Sequence, residues 1–210
     1  MTIEALGLEH FYGRDKVLNG VDVTIDAGSF TAIIGESGSG KTTLLSILST
    51  LLQPSAGIVK YDGKIVSELG NIDRFRRHNI GFVFQFHYLI SYLTLRENIA
   101  LGAMEESRIE TLLHSLGISK LSHRYSDEVS GGERQRAAIA RALVNAPSVV
   151  FADEPTGSLD SKNALGVYEL FRGFSCAGTG FVVASHDKKI ADYADIIIEM
   201  EDGVVKDITK

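Results

Sequence analysis

The chain predicts an α/β fold built on a mostly parallel sheet, and three observations lead there. Short apolar runs of β-type residues alternate with helical stretches along most of the 210 residues. Three of those runs end in polar or glycine-rich segments, where ligands of open α/β sheets bind. A composition of 44% apolar and 23% charged residues lets a chain of this size bury one sizeable core without disulfides or metals.

The strand candidates, in order, are Val21 to Ile25, Phe30 to Ile34, Ile80 to Phe84, Ser148 to Ala152, Gly180 to Ala184 and Ile196 to Met200. Phe30 to Ile34 runs into Gly35, Ser148 to Ala152 into Asp153, and Gly180 to Ala184 into the segment with His186. The stretch TLLSILSTLL after the first of these reads as helix. Between Leu95 and Asn145 the β-type runs disappear and the text reads as helix with a break at Gly117, which suggests a helical insert in the sheet domain. The final IIIEMEDGVVKDITK reads as a hairpin turning at Asp202 and Gly203. There is no internal repeat, low-complexity tract or linker, so one domain over 1–210 is expected.

Composition also excludes several roles. The single Cys176 rules out an intrachain disulfide, fits a reducing compartment and reads as a structural core residue. The start MTIEALGLEHFYG lacks the basic and apolar regions of a secretory signal. No stretch reaches the roughly 18 apolar residues of a membrane span, so no transmembrane segment is expected and a membrane role must come through a partner. A formal net charge of −6 argues against nucleic-acid binding, which needs a basic face. It does not argue against a single nucleotide, which needs one lysine, a metal and backbone N–H groups.

Residues 35 to 42, GESGSGKT, match G-x-x-x-x-G-K-S/T between an apolar strand and a helix, the setting this phosphate cradle requires. Gly35, Gly38 and Gly40 let the backbone around Glu36, Ser37 and Ser39 curl so that N–H groups converge on phosphate oxygens at the start of the helix. Lys41 is placed to reach the β- and γ-phosphates of ATP, and Thr42, followed by Thr43, to ligate Mg²⁺. The segment SVVFADE delivers two carboxylates at a strand end: Asp153 for Mg²⁺ and Glu154 for the attacking water. Kinases, GTPases and ATPases all remain open at this point.

The next motif separates them. Residues 129 to 136, VSGGERQR, followed by AAIARAL and the strand bearing Asp153, resemble the signature of the ABC ATPase family. The resemblance runs from Tyr12 to the final hairpin. It implies a P-loop NTPase with an ABC-type core, meaning a mostly parallel sheet plus an N-terminal antiparallel β part, and a short helical subdomain at about 86–145. It implies Mg²⁺-dependent hydrolysis of ATP by a head-to-tail homodimer with two ATPs at the interface, in which Ser130, Gly131 and Gly132 act on the partner's nucleotide. Independently, Ser130 and Glu133 have capping-box spacing, so a helix should begin here, with Glu133 turned back to the Ser130 N–H rather than toward a phosphate.

By the same resemblance, Tyr12 stacks on adenine, Val17 packs beside the ribose, and Gln85 reaches Mg²⁺ and the water. The loop Ser158-Leu159-Asp160 crosses the dimer interface, and His186 contacts the γ-phosphate. His78, His87 and His123 have no comparable setting and read as solvated or locally bonded, and no His or Cys cluster suggests zinc.

The phrases RRHNIGFVFQFHYLISYLTLRENI and ADEPTGSLD resemble the branch of lipoprotein-releasing and macrolide-exporting ATPases. That branch implies an integral-membrane permease partner and a peripheral position on the cytoplasmic face of the cell membrane. Its cargo would be lipoprotein, peptide or macrolide-like. Only 31 residues separate Asn98 from Ser130, about a dozen fewer than analogy with this branch suggests, so the helical insert should be trimmed. The alternative is an ABC ATPase acting on nucleic acid or ribosomes; such proteins carry coiled-coil insertions or tandem domains, and neither is present.

Overall fold

In the computed structural model, which describes residues 1–210, two sheets enclose one helix. The chain opens with β1 (Ile3–Tyr12) and β2 (Asp15–Ile25), paired antiparallel. β3 (Phe30–Ile34) enters the second sheet and feeds α1 (Lys41–Leu48), after which β4 (Ala56–Tyr61) and β5 (Lys64–Ile65) return to the first. The first sheet is therefore ordered β2-β1-β4-β5.

α2 (Ile72–Asn79) leads into β6 (Ile80–Phe84), followed by α3 (Leu95–Ala100), α4 (Ile109–Ser115) and α5 (Gly131–Leu143). β7 (Val149–Asp153), α6 (Ser161–Cys176), β8 (Gly180–Ser185), β9 (Ile196–Glu201) and β10 (Val204–Thr209) complete the chain. The second sheet is ordered β10-β9-β3-β8-β7-β6, parallel throughout except for β10.

Cover on both faces explains why β3, β7 and β8 are buried along nearly their whole length. Side chains alternate between the faces: Phe30, Ala32, Val150, Ala152, Phe181 and Val183 join the core under α3 to α6. Ile33, Phe151, Val182 and Ala184 join the core that α1 shares with the antiparallel sheet. The ends of β3, β7 and β8 consequently line up side by side, because β8 pairs with both neighbours in register.

The strand expectations hold for the parallel sheet, to the residue for Phe30–Ile34 and Ile80–Phe84. Val21 to Ile25 proves to be the end of a longer β2. β1, β4, β5 and α2 were not expected from the pattern of residues. β1 carries register shifts between Ala5 and Leu8, which break its period of two, and α2 offers only Ile72 and Phe75 as apolar residues, neither fully buried, too few to show a helical period. The 95–145 stretch is less helical than its composition suggests: three helices are separated by turns, with Gly117 closing α4 at φ 70°.

The core reading of Cys176 is corrected: its side chain is exposed. α6 buries Ala164, Val167, Tyr168, Phe171 and Ser175, a spacing of three and four that turns Cys176 outward. No helix is long and apolar enough to cross a membrane.

Candidate functional site

Gly35 follows the end of β3, and the loop to Gly40 folds against the C-terminal hairpin. A Cβ on Gly35 would lie 2.3 Å from the Met200 carbonyl oxygen and 2.7 Å from Ser39 Oγ, so only glycine fits. Gly40, at φ 98°, is the N-cap of α1, and no acidic residue occupies the helix's first turn. Lys41 is 6% exposed and its Nζ donates to the carbonyls of Gly35 (2.8 Å) and Glu36 (2.7 Å), with no carboxylate partner. The Ser39 hydroxyl is buried without a hydrogen-bond partner. A buried cation held only by carbonyls beside an unpaired hydroxyl is a concentration of donors that an anion would complete.

β7 and β8 bring the carboxylates and the histidine to the same edge. The Thr42 hydroxyl donates to Asp153 Oδ1 at 3.0 Å, across 111 residues of sequence. Burial pushes the Asp153 carboxyl above the ordinary carboxylate range and the neighbouring Glu154 adds to this, while the Thr42 bond and Lys41 act against it. A carboxylate in that setting is relieved by a cation, and with Thr42 it supplies the hard oxygen ligands that Mg²⁺ takes.

Glu154 is a non-glycine residue at φ 45°, fixed by its N–H donating to the Ala184 carbonyl at 2.9 Å. Such a conformation costs about 1–3 kcal/mol and persists only where the surroundings hold it. Its Oε2 accepts a 2.9 Å bond from His186 Nδ1, which joins those two residues as the sequence expectation did not foresee. Gln85 follows Phe84, the register partner of Asp153; its Nε2 lies 2.8 Å from where a Gly157 Cβ would stand, and it makes no hydrogen bond to Thr42 or Asp153.

Tyr12 is 53% exposed, with one side packed edge-on against His10 at a ring separation of 4.8 Å. Val17 is half-buried in β2, its carbonyl 3.0 Å from the position of a Gly40 Cβ. Thr43 is buried in α1.

The start of α5 is a complete capping box. Ser130 N–H donates to Glu133 Oε2 at 2.8 Å, the Ser130 hydroxyl does so at 2.7 Å, and Glu133 N–H returns a bond to Ser130 Oγ at 3.4 Å. The Ser130 hydroxyl and then its backbone N–H hold the Glu133 carboxyl below the usual range, and the side chain turns back onto the Ser130 N–H as expected. Arg134 ties down the preceding loop by donating to the carbonyls of Ser126 (3.0 Å) and Val129 (2.9 Å).

Asp160, the N-cap of α6, accepts from Asn163 N–H at 2.9 Å and Asn163 Nδ2 at 2.8 Å. Asn163 Oδ1 in turn lies 2.9 Å from where a Gly132 Cβ would be. Asn163 and Gly157 were not singled out from sequence; the i+3 spacing from Asp160 and a glycine between two site segments were the available signals. No hydrogen bond joins Ser130 to Glu133 with residues 35–43 of the same chain.

Residues 18–157 match the family model described as ABC transporter. The chain belongs to the ABC transporter family. It is 40% identical to the lipoprotein-releasing system ATP-binding protein LolD of Bacteroides thetaiotaomicron, over 97% of this chain and 99% of that protein. That alignment runs over 215 positions, more than the chain's 210 residues, so the relative has residues this family member lacks.

The macrolide export ATP-binding/permease protein MacB of Campylobacter jejuni is 40% identical over 94% of this chain, which spans 32% of MacB. Among solved structures, MJ0796, a bacterial ABC transporter cassette in a dimeric structure, superposes with a TM-score of 0.89 at 34% identity, covering 99% of this chain and 98% of the other. The same cassette is known in a post-hydrolysis state bound to ADP and Pi. As a member of this family the chain is an ATP-binding, ATP-hydrolysing subunit of an ABC transporter.

Proposed function

We propose that this subunit drives a separate membrane permease by closing head to tail on a second copy of itself around two ATP molecules. The observation that carries the reading is a division of parts. Lys41, Thr42, Asp153, Glu154 and His186 gather at adjoining strand ends, while the Ser130 helix start, braced by Asn163, makes no hydrogen bond to residues 35–43 of its own chain. A second copy supplies the missing half, as the dimeric MJ0796 cassette suggests by analogy.

In this reading Tyr12 stacks on adenine, a contact worth about 1–3 kcal/mol, and Val17 packs by the ribose. The N–H groups from Gly35 to Thr43, through Glu36, Ser37, Gly38, Ser39 and Gly40, cradle the phosphates, and Lys41 exchanges its two carbonyl partners for β- and γ-oxygens. Thr42 and Asp153, joined by Gln85, would hold Mg²⁺, which would supply neutralising charge to the phosphates.

Glu154 aligns the attacking water and takes its proton as the oxygen bonds to the γ-phosphorus and the bond to the ADP oxygen breaks. His186 holds the Glu154 carboxylate and contacts the γ-phosphate. From the other copy, the N–H groups of Gly131 and Gly132 meet the developing charge, joined by the Ser130 hydroxyl once it exchanges Glu133 for a phosphate oxygen, while Glu133 stays on the Ser130 N–H. The Asp160 loop lies along the same edge.

The permease docks on the segment 86–145, where Phe86, Tyr88, Tyr92 and Leu101 stand exposed beside Gln85. The subunit sits on the cytoplasmic face of the membrane through that contact, and the names of LolD and MacB support a lipoprotein or macrolide-like cargo. Glu154→Gln should lower steady-state phosphate release by at least about 100-fold while MgATP binding persists. Hydrolysis surviving in that variant would remove Glu154 from its role.

A further inference from the structure

The phosphate loop does not stand on α1 and β3 alone. Its outer side rests on the turn of the C-terminal hairpin, where Val204 pairs with Glu201 and leaves a two-residue loop, Asp202-Gly203. Both residues have positive φ, 46° and 76°, as a type I′ turn requires. Gly203 N–H donates to the Ser39 carbonyl at 3.1 Å, inside the cradle, and its own carbonyl accepts from Asn19 N–H at 2.9 Å, in the strand that carries Val17. A Cβ on Gly203 would lie 2.4 Å from the Val17 carbonyl oxygen and 3.0 Å from its carbon, both backbone atoms that cannot swing aside. The previous strand adds a second close contact, between Met200 carbonyl and Gly35.

We propose that Gly203 is a positioning residue for nucleotide binding: it fixes the distance between the phosphate loop and the base-side strand β2, so that one ATP spans both. One residue is hydrogen-bonded to each side, and its missing side chain sets how closely the two approach. This rests on the reading of residues 35–42 as the phosphate cradle. Substitution should weaken ATP binding through misplacement of Ser39 and Val17, while the chemistry at Glu154 proceeds once ATP is bound.

The molecule contains its own control. β4 and β5 are joined by a second two-residue Asp-Gly turn, Asp62-Gly63, with φ of 48° and 77°, and nothing lies within 4 Å of a Cβ placed on Gly63. Gly63→Ala therefore carries the same backbone strain as Gly203→Ala without the contact to the nucleotide elements.

The experiment measures MgATP affinity with a fluorescent ATP analogue, KM and kcat for hydrolysis, and the unfolding midpoint, for Gly203→Ala, Gly63→Ala and Lys41→Ala. Gly203→Ala is expected to raise Kd and KM about tenfold, equivalent to about 1.4 kcal/mol, with kcat at saturating ATP within about twofold of wild type. Gly63→Ala is expected to lower the unfolding midpoint and leave Kd and KM unchanged. Should Gly203→Ala not fold, Gly203→Asn keeps the left-handed turn accessible and must show the same rise in Kd. The proposal is overturned if the folded Gly203 variant matches Gly63→Ala in Kd and KM, or if kcat falls with KM unmoved. Wild-type affinity in Lys41→Ala would instead refute the cradle reading itself.

Discussion

The left-handed backbone of Glu154 is the clearest case of a residue shaped by its task. No local preference places a glutamate at φ 45°; the bond from its N–H to Ala184 and the His186 contact hold it there. Elsewhere single residues serve the frame. Asp195 accepts from Phe30 N–H at 2.9 Å and from Arg172 at 2.6 Å, so one carboxylate ties the start of β3 to α6. Burial works against its charge, but the Phe30 N–H and Arg172 outweigh that and hold the carboxyl below the usual range.

A depressed carboxyl contributes stability that is present above its unfolded value, near 3.9, and is lost as pH falls through the folded value. Asp195→Asn should therefore lower the unfolding midpoint by a few degrees at pH 7, a modest figure because the pair is partly solvent-screened. The deficit should shrink as the pH falls below about 3.9 and vanish only once it has passed the folded value. An equal deficit at pH 7 and below the folded value would mean the carboxylate's charge contributes nothing.

At the scale of elements, legibility followed burial. The parallel strands could be read because both their faces are covered and their residues are mostly apolar. β1 and β4 could not, since their sheet is half-exposed and β1 shifts register beside Leu8. The phosphate loop and the capping box at Ser130 were legible because their spacing is itself the mechanism. The His186–Glu154 pair and the Asn163–Gly132 contact were not, because they join separate elements and no local spacing announces them.

One element shows how much a single side chain can organise. Asn98, fully buried in α3, accepts from Ile90 N–H at 2.6 Å and donates to the carbonyls of Ile90, Leu93 and Thr94 at 3.0 Å each. It holds the loop that presents Tyr88 and Tyr92. Asn98→Ala leaves the Ile90 N–H and the Leu93 carbonyl unpaired and should cost about 2–3 kcal/mol in urea unfolding. A loss below about 0.5 kcal/mol would mean that the loop is held by other contacts.

Across the whole molecule the cradle residues sit at strand ends and the signature residues at the α5–α6 junction, two groups that share one core but exchange no hydrogen bond. A chain so divided makes sense only as half of a pair, which is the central claim. Complementation tests it most directly. Lys41→Ala removes the cradle's cation. Gly131→Asp places a carboxylate on the signature edge, where a Cβ meets nothing closer than 3.6 Å in its own chain. Each variant alone should be inactive. Mixed one to one, half of the randomly formed dimers hold one intact site, so about a quarter of wild-type phosphate release should return. A mixture no more active than its parents, or full activity in Gly131→Asp alone, would contradict the account.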